Sequence, residues 1–164
     1  MAYETLAEGQ PFQEAVDYFG NKLNLPTKRW TDIREGEHAK AFVVAGAQKA
    51  ALLSDFRGAI DEALQNGETL AEFRRRFDDI TRRHGWSYKG SRNWRSRTIY
   101  QTNIRQAYNA GRWQQAQRLR ESHPYLRYEA LDDGRTRPEH AAWDGTVLPA
   151  DDAWWDTHMP MNGW

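Results

Sequence analysis

Apolar positions in this chain fall into a few clean helical stripes, then change period near the end. Phe12, Val16, Phe19 and Leu23 recur at spacings of four, three and four, which is one face of a helix. Pro11 suits its first turn and Pro26 ends the pattern. Trp30 and Ile33 suggest a short turn of helix. "EHAKAFVVAG" reads as a helix closing at Gly46, with "FVVAG" as its buried end, although so short an apolar run has no decisive period. Leu53, Phe56, Ile60 and Leu64 line a clear helix that Asn66-Gly67 stops. Leu70, Phe73, Phe77 and Ile80 line the next. Thr69 and Glu72 form a capping box at its start, and Arg82, Arg83 and His84 complement the dipole at its end.

After the loop "WSYKGSRN" a long helix is expected over about 94–122. Tyr100, Ile104 and Tyr108 lie four apart on it, with Ala107 and Gly111 beside them. Such small residues predict another helix crossing closely. Beyond Pro124 the period drops to two. Leu126, Tyr128 and Ala130 alternate with Arg127, Glu129 and Leu131, which predicts a strand. Asp133-Gly134 is a turn dipeptide, "RPEHAAWDG" a short helical turn, and "DGTVLP" a second short strand. The expected fold class is α+β. A mainly helical N-terminal two-thirds (four or five helices) precedes a small antiparallel β-hairpin, loop-rich C-terminal subdomain. The expected division is a helical leader region over 1–90 and a core over 91–164.

Composition refines this picture. The 164 residues carry charged groups at 28% yet aromatics at 13%, with eight tryptophans, so disorder is excluded. Large rings in few places suit long polar helices around a small core. No cysteine is present, so neither disulfides nor thiolate metal sites exist within this sequence. "MAYETLAEGQPFQEA" has no basic or apolar signal-peptide region, and no run approaches the ~18 apolar residues of a membrane helix. The chain reads as soluble, with no membrane partner.

Net charge is zero but unevenly spread. Residues 1–70 hold 7 basic and 11 acidic side chains, residues 71–120 hold 13 and 3, and residues 121–164 hold 3 and 9. One reading is internal neutralisation, the acidic tail folding onto the basic helices. The other is a basic stripe that meets phosphate or an acidic partner. Arg92, Arg95, Arg97, Arg105 and Arg112, interleaved with Trp94 and Trp113, are the candidate contacts for sequence-independent DNA binding or for an acidic protein surface.

Chemistry concentrates in "LDDGRTRPEHAAWDGTVLPADDAWWDTHMP", residues 131–160. His140 and His158 lie near Asp132, Asp133, Asp144, Asp151, Asp152 and Asp156. Histidine and carboxylate suit a transition metal, but the spacing fits no metal motif, so no metal and no cofactor is assigned. Asp133 with His140 would make an acid–base pair and Arg135 and Arg137 would face phosphate, yet no nucleophile accompanies them. The favoured alternative is architectural. Asp132 or Asp133 accepts turn N–H groups, Arg135, Thr136 and Arg137 pair with tail acids, and Trp143, Trp154, Trp155 and Trp164 form an aromatic core.

"RTIYQTNIRQAYNAGRW" followed by "YLRYEALDDGRTRPEHAAWDGTVLPADDAWWDTHMPMNGW" resembles the phage Mu F-like family. These are minor capsid, or head morphogenesis, proteins of tailed phages and prophages. "YFGNKLNLPTKRWTDIREGEHAKAFVVAGAQKAALLSDFRGAIDEAL" is similar to the helical leader of Mu-like members, so the likeness covers nearly the whole chain. The resemblance implies a structural, non-enzymatic protein of the virion, at the capsid interior near the portal vertex, assembled in the host cytoplasm. Its implied partners are the portal and other head proteins, with double-stranded DNA contacted during packaging or ejection. It singles out Asn103, Arg105, Asp133, Arg135, Thr136, Arg137 and His140 as family-motif anchors. Met159-Pro160-Met161 stands where the family has a Pro-Pro pair, and members continue into a cysteine-containing segment, so a C-terminal truncation is expected. Two other classes remain in view: a sequence-independent nucleic-acid-binding module and a metal-dependent hydrolase or nuclease.

Overall fold

The computed structural model describes residues 11–33, 40–131 and 133–159. The chain folds as two compact units, 1–111 and 112–164. Helices dominate the first, and a two-stranded antiparallel sheet lies in the second, an α+β arrangement.

In the first unit, α1 (Gln13–Gly20) leads into β1 (Leu23–Asn24), which pairs in parallel with β2 (Ala41–Phe42). α2 (Ala50–Asn66), α3 (Leu70–His84) and the start of α4 (Arg92–Arg118) follow. The core is the set of stripes expected from periodicity. Phe19, Leu53, Phe56, Ile60, Phe73 and Phe77 are fully buried, each worth about 1.5–3 kcal/mol of apolar transfer. The capping box closes α3 as its sequence predicts: Thr69 N–H donates to Glu72 Oε2 at 2.7 Å and Glu72 N–H to Thr69 Oγ1 at 3.4 Å. The Thr69 N–H, joined by the Thr69 hydroxyl donating to the same Oε2 at 2.9 Å, holds the Glu72 carboxyl below its usual range. Gly85 ends α3 at φ 57°, a left-handed position that favours glycine.

Two expectations change here. α1 stops at Gly20, so Leu23 lies on β1 and is 74% exposed rather than on the helix stripe. "FVVAG" is not a helix end. Phe42, Val43 and Val44 are consecutively buried, which a helix face cannot achieve, and Leu23 and Leu25 N–H donate to Lys40 and Phe42 O. The preceding residues 34–39 of the expected helix lie outside the described residues. Around Trp30 the expected short helical turn is present, as a 3₁₀ turn over Trp30–Asp32.

The close crossing at the small residues of α4 is present, and its partner is α1. A Cβ added at Gly111 would stand 2.7 Å from Phe12 Cζ and 3.0 Å from the backbone N of Ala15. Gly58, on the exposed side of α2, has nothing within 4 Å of the same point. Alanine improves helix propensity at either site by about 1 kcal/mol, but overpacking costs about 1–3 kcal/mol. Gly58→Ala is therefore expected to raise the urea midpoint, and Gly111→Ala to lower it by a net of about 1 kcal/mol.

In the second unit, β3 (Tyr125–Arg127) pairs antiparallel with β4 (Val147–Pro149), Leu126 opposite Leu148. The connection is long and holds α5 (Pro138–Trp143), so Asp133-Gly134 turns the chain toward α5 instead of joining the strands directly. α6 (Trp155–His158) follows β4. Among the described residues, no helix is long and apolar enough to cross a membrane.

Candidate functional site

Local hydrogen bonds tie down several polar groups of residues 133–158. Asp133 Oδ1 accepts Arg135 N–H at 2.9 Å, and Asp133 O accepts Thr136 N–H at 3.0 Å. The Thr136 hydroxyl donates to Leu131 O. This knot sets Arg137, in an extended conformation, before Pro138, whose fixed φ suits the first position of α5. Further on, Asp144 Oδ1 accepts Ala130 N–H at 2.9 Å and ties the end of α5 to the end of β3. Asp152 Oδ1 accepts Trp154 N–H at 2.8 Å, and Trp155 Nε1 donates to Pro149 O at 2.8 Å.

Tyr128 is the ring around which the unit packs. It meets Trp143 and Trp154 edge-on at 5.9 Å each. Its hydroxyl lies 3.0 Å from His140 Nδ1, and burial pushes the phenol pKa up. His158 stacks on Trp154 at 4.0 Å and stands edge-on to Trp143 at 4.5 Å. The period-two pattern placed Tyr128 on a strand but gave no signal of this central role.

The acids therefore serve backbone donors. Asp133 Oδ1 accepts Arg135 N–H and His140 Nδ1 meets the Tyr128 hydroxyl, and among the described residues no group of three or more His, Asp and Glu side chains could hold a metal ion. The expected pinning of the tail by Arg135 and Arg137 is not what the structure shows. The ion pair described for Arg137 is with Glu139 at 3.9 Å, both exposed, while Arg135 is exposed and Asp152 caps the turn at Trp154. The extended backbone of Arg137 sends its side chain to solvent, and indoles with backbone hydrogen bonds hold the tail instead. Asp132 and Trp164 lie outside the described residues.

The basic region of the first unit divides by environment. Arg92 forms a bidentate pair with Asp78, Nε to Oδ1 and Nη2 to Oδ2 both at 2.6 Å, which lowers the pKa of the Asp78 carboxyl and raises that of the guanidinium. Arg95 is half-buried, donates to Ala45 O, and lies 5.4 Å from the Trp86 ring. Burial holds its pKa below the usual arginine value. Arg76 pairs with Glu62 and Glu68, and Arg83 and His84 with Asp55. The acids paired with Arg76, Arg83, His84 and Arg92 lie on α2, on α3 and in the loop between them. Arg97 and Arg105 are exposed with no ion pair among the described residues, eight positions or about 12 Å apart along α4. Arg112 is also exposed, in the second unit. Asn103 is buried and donates through Nδ2 to Ile99 O at 2.8 Å.

Residues 54–164, including α3, α4 and all of the second unit, match the family described as Phage Mu protein F like protein. The chain belongs to the phage Mu F-like family. Among its relatives is a candidate capsid assembly protein F of Escherichia phage Mu, 38% identical over 94% of this chain and 38% of its own length. A Mu-like prophage FluMu F protein of Haemophilus influenzae is 37% identical over 84% of this chain and 36% of its own length. This Mu F-like chain thus spans little more than a third of the length of either relative. No solved structure matches it.

Proposed function

We propose that this Mu F-like chain is a structural protein of phage head assembly, acting in the virion interior near the portal vertex after synthesis in the host cytoplasm. The observation that carries the reading is the likeness to the capsid assembly protein F of phage Mu along 94% of the chain. The second unit supports it: Asp133, Asp144 and Asp152 each accept a backbone N–H group and so fix local turns. That is the use expected of fold anchors, not of a hydrolase.

The finer part of the proposal concerns partners. Portal and other head proteins are one set. Double-stranded DNA is the other, met by Arg97 and Arg105 through sequence-independent phosphate contacts, because Arg92 and Arg95 are committed internally. The test uses the purified chain with immobilised portal protein, and with unrelated duplexes over a salt series. Retention on the portal is expected. Affinity for all duplexes should fall alike with salt, and the double variant Arg97→Gln/Arg105→Gln should reduce the log–log slope by about 2. A salt-insensitive or sequence-selective complex would overturn the DNA contact, and no retention would overturn the portal contact.

A further inference from the structure

We propose that the outer edge of β3 is a self-association surface, through which two copies of this chain join their two-stranded sheets into one four-stranded sheet about a two-fold axis. The inference is independent of the proposed function. It starts from where the backbone groups of β3 point. Ala150 N–H donates to Pro124 O, and Tyr128 N–H donates to Thr146 O, so the even-numbered residues face β4. Alternation then directs the N–H and C=O groups of Tyr125 and Arg127 to the opposite edge. Neither residue has a backbone partner there among the described residues. Tyr125 is 64% exposed and the Arg127 side chain 61%.

Open edges are normally blunted by proline, charge, a bulge, a covering element or a very short strand. β3 is short and carries Arg127, but it has no proline and no bulge within Tyr125–Arg127. A sheet of two three-residue strands is also below the three or more strands that make a sheet stable by itself. The edge can accept a further strand, and its own sequence is complementary to itself. An antiparallel pairing centred on Leu126 puts Tyr125 opposite Arg127 of the second copy, twice by symmetry. Both residues are outward-facing, so each pair exchanges two backbone hydrogen bonds. A guanidinium over a phenol ring is a favourable cross-strand contact. The same register sets Glu129 opposite His123 of the second copy, and Glu129 already lies 3.8 Å from Arg127 in its own chain. The phenol, guanidinium, carboxylate and imidazole are thus matched without any two like charges facing one another. A parallel or one-residue-shifted pairing loses this match. A two-fold contact closes on itself, so assembly stops at the dimer.

The purified chain is examined by sedimentation equilibrium over a wide concentration range, beside Arg127→Pro. The N–H of Arg127 points away from β4, so proline removes an outward donor without breaking the β3–β4 ladder. The expected result is a monomer–dimer equilibrium for the parent chain, and a monomer with an unchanged melting temperature for Arg127→Pro. A second variant, Tyr125→Arg, keeps the strand and sets arginine against arginine. It is expected to weaken the dimer at least tenfold. A parent chain that is monomeric at its highest soluble concentration would overturn the proposal. So would a dimer that both variants leave intact, or a ladder of species beyond the dimer.

Discussion

Phe77→Ala is expected to lower the unfolding free energy of the helical unit by about 4 kcal/mol, near the top of the range for a single core truncation. Phe77 is completely buried on α3. Its ring lies 5.7 Å from Phe56, 5.2 Å from Tyr88 and 6.4 Å from Trp86. Truncation removes the transfer energy of a benzyl group and leaves a hole walled by three rigid rings. Two of those rings are held elsewhere and resist collapse into it. Trp86 Nε1 donates to Gly46 O at 3.2 Å, and Phe56 is fixed within α2. The cavity term is therefore near its upper end. Typical domains are stable by about 5–15 kcal/mol, so the loss takes a large part of the total. Phe77→Leu keeps most of the volume and should cost roughly 1–2 kcal/mol. Urea unfolding followed by tryptophan fluorescence reads both, and equal effects of the two changes would show that shape, not volume, decides this site.

The helices around Phe77 were legible because their information is local and repeated. α2 and α3 each carry four apolar residues in register, and α3 has a capping box and a glycine stop within the same short span. The close approach to α4 was legible from Ala107 and Gly111, although its partner was not, since nothing local points from Gly111 to Phe12 and Ala15. The β1–β2 pair was not legible at all. Two strands of two residues have no period, and the pairing of Leu23 with Ala41 is fixed by the burial of Phe42 against Phe19, a contact between distant segments.

The candidate site divides in the same way. A turn around Asp133 follows from residue types within six positions. The separate fates of Arg92, Arg95, Arg97 and Arg105 do not, because each is decided by what another helix or loop brings to it. Asp78 comes from α3 and Ala45 from the loop after β2. A stripe of arginines along one helix is therefore only a set of candidates, and tertiary partners sort it into fixed and free members.

Nothing local singles out Lys22, because a lone lysine after a helix ordinarily sits in water. Here it is 3% exposed. Its Nζ donates to the side chain of Gln106 and lies 5.3 Å from the Tyr18 ring, while Arg57 donates to its carbonyl. Burial, and then the charge of Arg57, push its pKa down from 10.5 to about 8. The unfolded chain therefore binds the proton more tightly than the folded one. Below pH 8 both states are protonated, and the folded state carries the full cost of a buried ammonium. As pH rises from 8 toward 10.5 the folded state releases the proton first, and that cost is relieved. Stability should thus increase by about 2 kcal/mol between pH 7 and 9.5, against the usual decline in alkali. Tyr18 works in the opposite sense. Burial pushes its phenol up to about 12, so its neutral form is favoured in the fold and stability is lost above pH 10. Measurements up to pH 9.5 separate the two. In Lys22→Met the rise should vanish, leaving a flat profile over the same interval. A parent profile that is flat or falling there would mean that the ammonium keeps its charge inside the fold.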